Sequence, residues 1–173
     1  LPNVLPFVEV LPKVSVTASE KEIRQIAESN ADVLIVTGGR DDEIKFLNSI
    51  AKRLELRGFE VAKASNGQQA VDIARKEKFD LALLDLKMPG MDGSEVLRIL
   101  KKEHKFIEII ILTGHGSLES AVECTKLGAY GYLPKPYELD NLLEILKEAY
   151  QSRLKKKFEF DQSRMEKIMS IAT

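Results

Sequence analysis

Asp85 closes an apolar run, Leu81, Ala82, Leu83 and Leu84, and stands directly before a loop rich in Pro and Gly (Pro89, Gly90, Gly93). A carboxylate in such surroundings costs free energy unless it is paired, bound to a metal or used. Other polar groups follow other strand-like runs: Asp41 and Asp42 after Asp32 to Val36, Thr113 at the end of Ile107 to Leu112, and Lys135 after Tyr130 to Pro134. If those runs are parallel strands of one sheet, their ends share the edge at which open α/β sheets bind ligands. The set then contains a nucleophilic carboxylate, further carboxylates, a hydroxyl and an ammonium. That is an inventory for phosphoryl transfer, which needs a nucleophile, a divalent ion to neutralise phosphoryl charge, and a cation or donor for the remaining oxygens. Mg2+ is the hard ion that suits two or three carboxylates at a solvent-open edge. Singly, each residue has a plainer role: Asp85 as a helix cap, Thr113 as a strand-end cap, Lys135 as a surface cation, Tyr132 as a half-buried edge aromatic.

The elements that must position these groups alternate along the chain. Asp32 to Val36, Phe59 to Ala64, Leu81 to Asp85, Ile107 to Leu112 and Tyr130 to Pro134 are short, apolar or β-branched runs bounded by turn residues, as central parallel strands are. Between them lie helical stripes: Ile44, Leu47, Ile50 and Leu54; Ala70, Ile73 and Ala74; Val96, Leu97, Ile99 and Leu100; Ala121, Val122 and Leu127; and finally Leu139, Leu142, Leu143, Leu146 and Ala149. Five such units with right-handed crossovers predict a doubly wound, flavodoxin-like α/β fold with a five-stranded parallel sheet of order 2-1-3-4-5. Ahead of it, Pro2, Pro6 and Pro12 mark extended pieces, and Thr17 to Glu20 form a capping-box pattern for a helix ending near Asn30. Residues 1–31 thus read as an N-terminal βα extension, 32–151 as the main domain and 152–173 as a helical tail. Leu154, Phe158, Met165, Ile168 and Met169 keep helical spacing in that tail, which either runs on from the last helix or breaks near Phe160. The Lys155, Lys156 and Lys157 run reads as a solvated helix face.

The sequence LLDLKMPGMDG, from Asp85 through Met88, Pro89, Gly90, Met91, Asp92 and Gly93, resembles the phospho-acceptor strand and loop of response-regulator receiver domains, the CheY-like modules of two-component signalling. The likeness extends from about Asp41 to Gln151. It implies that Asp85 is the phospho-acceptor, that one or both of Asp41 and Asp42 hold Mg2+ with Asp85 and the backbone carbonyl of Lys87, and that Lys135 and Thr113 engage the phosphoryl group. It also implies a cis bond at Lys135-Pro136 and a switch in which Tyr132 is buried as Thr113 moves inward. A sensor histidine kinase or phosphotransfer protein would be the donor and a downstream protein the target, with association into a homodimer left open. Such a module is not an enzyme beyond Mg2+-dependent self-phosphorylation and self-dephosphorylation.

One departure from the family stands at Thr37 to Arg40, TGGR, which separates the first strand from the acidic pair. Either this insertion bulges outward and leaves Asp41 and Asp42 in the site, or it marks a recombined or disabled receiver. The second possibility gives the alternative function, an interaction module independent of phosphorylation. An aspartate-nucleophile phosphatase would want an acid two residues after the nucleophile, where Lys87 stands. We expect the fold to be kept and Mg2+ affinity to be weakened.

Composition sets outer bounds. The 173 residues are 44% hydrophobic and 31% charged with a formal net charge of −1, enough for one well-packed domain with extensions and no electrostatic footprint for nucleic acid or an anionic membrane. The single cysteine, Cys124, fits a reducing compartment and reads as a small buried residue. No apolar run is long enough to span a bilayer, and the first residues lack the basic region of a signal peptide. The expected location is the cytoplasm.

Overall fold

The computed structural model describes residues 31–39, 41–88, 90–114, 118–134 and 137–172. The N-terminal extended pieces and helix expected before Asn30 lie outside these residues, as do Lys135 and Pro136. Five strands, β1 (Asp32–Val36), β2 (Glu60–Ala64), β3 (Leu81–Asp85), β4 (Glu108–Thr113) and β5 (Gly131–Pro134), alternate with five helices, α1 (Asp41–Leu56), α2 (Gly67–Lys76), α3 (Gly93–Glu103), α4 (Leu118–Lys126) and α5 (Leu139–Ala172). The strands form one sheet in the order β2-β1-β3-β4-β5, all pairs parallel. This is the expected doubly wound order, with β1 between β2 and β3.

The sheet separates two apolar layers, and strand alternation assigns the residues to them. Val33, Ile35, Leu81, Leu83, Ile110 and Leu112 face Leu47, Ile50 and Leu54 of α1 and Leu142, Leu143 and Leu146 of α5. Leu34, Val36, Ala82, Leu84, Ile109 and Ile111 face Ala70 and Ala74 of α2, Val96, Leu97 and Leu100 of α3, and Cys124 of α4. β3 is buried at every position, which explains its unbroken apolar run. The edge strand β2 is mostly exposed or half-exposed. On α4 it is Cys124 that is buried, whereas Val122 is exposed.

Local signals set the helix boundaries. Asn66 caps α2 by accepting from the Gln69 amide at 2.8 Å, and the Gln69 side chain accepts from the Ser65 amide at 2.7 Å, a reciprocal arrangement that satisfies amides at the helix start. Asp92 caps α3 through the Ser94 amide at 3.3 Å. Gly58, with φ of 96°, turns the chain out of α1 into β2.

The last helix runs unbroken for 34 residues, about 51 Å at the usual rise. It does not break near Phe160, and it passes Gln151 without interruption. Its middle is tied to the edge of the sheet where the strands begin. Arg153 pairs with Asp80 at 3.0 Å, and Lys156 pairs at 3.2 Å with Glu108, whose side chain is only 1% exposed. Phe160 packs edge-on against Phe106 with ring centroids 5.4 Å apart and lies under the Lys105 ammonium at 3.7 Å. The Lys155 to Lys157 run is therefore not simply a solvated face: Lys156 helps to neutralise a buried glutamate shared with Lys101. Beyond Phe160, Met165, Ile168, Met169 and Ile171 are 62 to 84% exposed. Among the described residues no helix is long and apolar enough to cross a membrane.

Candidate functional site

Asp85 ends the central strand β3 and is 3% exposed. Its Oδ1 accepts the Lys87 amide at 3.1 Å, so the first turn of the following loop is closed over the carboxylate. The register places it opposite Leu112 of β4. Because Leu81 and Leu83 face α1 and α5, alternation turns Asp85 to that same face.

Glycine at the end of the MPGMDG loop has a steric cause. The Gly93 amide donates to the Leu86 carbonyl at 3.2 Å, and a Cβ on Gly93 would stand against the Asp85 carbonyl and 2.6 Å from Leu86 Cα. The start of α3 thus presses directly on the backbone of the acidic residue. Gly90, with φ of 83°, sits in a left-handed conformation that glycine adopts without penalty.

The inserted segment does not simply bulge outward. The Thr37 amide donates to the Ala64 carbonyl at 3.0 Å, extending the β1–β2 ladder by a residue, and Thr37 is 8% exposed. Gly38 is buried, and a Cβ there would lie 3.0 Å from the Lys87 carbonyl and 3.3 Å from Met88 Cα. Thr37 and Gly38 therefore occupy the place directly after β1, and Gly38 packs against the loop that follows Asp85. Gly39, with φ of 84°, leads away, and a cleft of about 270 Å3 between α1 and β2 borders Thr37, Ile44 and Lys63.

Asp41 and Asp42 open α1 on its exposed surface, where negative charge complements the helix dipole. Glu43, also in the first turn, has a buried Oε2. Among the described residues, no three or more His, Cys, Asp or Glu side chains are grouped so that they could share a metal ion. The Lys87 carbonyl has Gly38 packed beside it. Asp41, Asp42 and Asp85 therefore do not form a three-carboxylate cluster in this arrangement.

Thr113 ends β4 and is 1% exposed. It faces the opposite layer from Asp85, toward α4, since Ile109 and Ile111 do so. Tyr132 packs against that layer, with its phenol pKa raised by burial and by nearby Cys124, while the Thr113 hydroxyl acts in the other direction. The two residues expected to act as a switch are therefore neighbours, with the Tyr132 ring turned inward. Lys135 falls outside the described residues.

Spacing does not single out Tyr137. It follows Lys135-Pro136 in the chain, packs against the α1/α5 layer, and makes an edge-on contact with Phe46 of α1 at 5.4 Å between centroids. Burial, reinforced by the charge of Asp85, raises its phenol pKa strongly. The only signal in the sequence is a phenol close behind the lysine.

Residues 33–147 match the family model described as the response regulator receiver domain. The chain belongs to the response regulator receiver family. A receiver from Methanospirillum hungatei, described as CheY-like, superposes with a TM-score of 0.68 at 34% identity, covering 73% of this chain and 98% of that one. A putative NtrX-like response regulator of Rickettsia typhi is 41% identical over 123 residues, which is 70% of this chain and 25% of that protein. Sporulation initiation phosphotransferase F of Bacillus subtilis is 37% identical over 119 residues, 69% of this chain and 93% of that relative. This receiver spans about a quarter of the NtrX-like relative and most of the Bacillus protein.

Proposed function

We propose that this receiver accepts phosphate on Asp85 from the histidine of a sensor kinase or phosphotransfer protein and passes a conformational change to a downstream protein. A P–O bond forms at the Asp85 carboxylate as the P–N bond to the donor histidine breaks, and the histidine departs with its nitrogen free to take a proton. The observation that carries this reading is Asp85 itself, a carboxylate held at the end of the central strand by the Lys87 amide and backed by the close approach of Gly93. Such fixed placement suits in-line attack. Thr113 and Tyr132 would transmit the change: a phosphoryl group draws the hydroxyl toward it, and the neighbouring ring fills the space left behind. Lys135 would pair with the phosphoryl oxygens.

In receivers Mg2+ supplies charge neutralisation, and Asp41, Asp42, Asp85 and the Lys87 carbonyl are the candidate ligands. The exposure of Asp41 and Asp42 favours weak metal binding, and this also supports the second reading, an interaction module that works without phosphorylation. The cytoplasm is the proposed location, and the exposed apolar residues of the α5 tail support association with a second copy.

The test is incubation with radiolabelled acetyl phosphate and excess Mg2+. Asp85 should take up label and Asp85→Asn should take up none. Full labelling of the Asn variant would place the acceptor elsewhere, and an unlabelled parent protein with no measurable Mg2+ affinity would favour the second reading.

A further inference from the structure

Among the described residues the buried Tyr137 hydroxyl has no hydrogen-bond partner, an arrangement that costs free energy unless another state of the protein satisfies it. The ring stands edge-on to Phe46 at an interplanar angle of 71° and belongs to the layer between the sheet, α1 and α5. The residue enters that layer from the strand-end edge, just after β5. Asp85 lies at the same edge and faces the same layer, as the inward direction of Leu81 and Leu83 requires. The phenol is thus a proton-bearing donor held close to the carboxylate, and burial together with the Asp85 charge keeps it protonated far into the alkaline range.

We propose that Tyr137 is a phosphoryl-binding residue, its buried hydroxyl donating a hydrogen bond to an oxygen of the group carried by Asp85. The inference rests on the reading of Asp85 as acceptor and adds a donor to those the family likeness supplies. In the unmodified protein none of the described residues offers the hydroxyl an acceptor. A phosphoryl group extends outward from Asp85 by one P–O bond and brings three strong acceptor oxygens to this edge. The hydrogen bond then formed is charge-assisted, the stronger kind. Such a contact has particular value here, because the inserted residues leave Asp41 and Asp42 on the exposed side of α1. The alternative is that Tyr137 only packs on Phe46, a task the phenylalanine ring would perform equally well.

That difference gives the experiment. Beryllofluoride, a phosphoryl analogue, is titrated with Mg2+ in excess into the parent protein and Tyr137→Phe, with binding followed by fluorine NMR, and the thermal midpoint of each is measured without the analogue. Phe keeps the ring contact and removes an unsatisfied hydroxyl, so the free midpoint should be unchanged or higher. The dissociation constant for the analogue should rise about ten-fold, as expected for one hydrogen bond to a charged acceptor. Equal affinity in the two proteins overturns the proposal, and so does weaker binding accompanied by a lowered free midpoint, which would mark the hydroxyl as structural. If the parent protein itself fails to bind, the reading of Asp85 falls and this inference falls with it, an outcome recognisable because both proteins fail together.

Discussion

At the scale of single residues, the acidic centre depends as much on an absent side chain as on a present one. Asp85 is held by the Lys87 amide at 3.1 Å, and the backbone behind it is approached so closely by Gly93 that a methyl group there would stand 2.6 Å from Leu86 Cα. The neighbours are backbone atoms of the central strand, which cannot swing aside. Gly93→Ala should therefore destabilise the protein by about 2 kcal/mol or more, in the range of overpacking in a filled core, and displace the loop that follows Asp85. Urea denaturation checks this, and an unchanged midpoint would show that α3 can slide away from β3. Gly90 is a useful contrast, since a Cβ there would meet nothing within 4 Å. Its replacement carries only the penalty of φ at 83°, about 1 kcal/mol.

At the scale of elements, the inserted segment pits a small entropic effect against a large geometric one. Lengthening the β1–α1 connection by a few residues costs on the order of 1 kcal/mol or less, and Leu47, Ile50 and Leu54 still bury their side chains. The fold therefore tolerates the change. Metal geometry is less forgiving, because Mg2+ demands near-ideal octahedral placement of its oxygens. Thr37 and Gly38 fill the position directly after β1, and the acids open the next helix. Deleting Thr37 to Arg40 should bring Asp41 and Asp42 to the end of the strand and tighten Mg2+ binding, with faster labelling by acetyl phosphate. Calorimetric titration of both forms provides the measurement. Equal affinities would mean that the acids reach the site from where they now stand.

For the whole molecule, the long last helix joins the two ends of the sheet. Its first turns bury Leu142, Leu143 and Leu146 beneath the strands, and its middle closes over the opposite edge through Arg153 with Asp80, Lys156 with Glu108 and Phe160 with Phe106. Ending the chain after Gln151 would leave Glu108, 1% exposed, with Lys101 as its partner at 3.4 Å but without Lys156, and would uncover Phe106. That truncation should cost about 1 to 3 kcal/mol, given the penalty for weakening a buried ion pair and the loss of apolar contact. Ending it after Asp161 should cost nothing measurable, since Met165, Ile168 and Met169 are exposed. Thermal unfolding of the two truncations distinguishes these outcomes. Equal stability of the shorter form would show that the middle of α5 packs without stabilising the domain.

The strand order and the identity of the buried strands were legible in the sequence, because burial on both faces forces unbroken apolar runs such as Leu81 to Leu84, and because parallel crossovers have one handedness. Asp85 was legible for the same reason, a single charge interrupting an apolar strand. Tertiary structure alone decided what periodicity and motif spacing do not encode. The place of Thr37 and Gly38 depended on whether the space beside the Lys87 carbonyl could admit them, and the missing side chain of Gly38 made that possible. Lys156 looked like one of three solvated lysines until the sheet placed buried Glu108 beside it. Tyr137 acquired its place from contacts between segments far apart in the chain, with Phe46 on one side and the charge of Asp85 close by. Local sequence specifies which faces must be buried; only packing specifies which polar groups then meet.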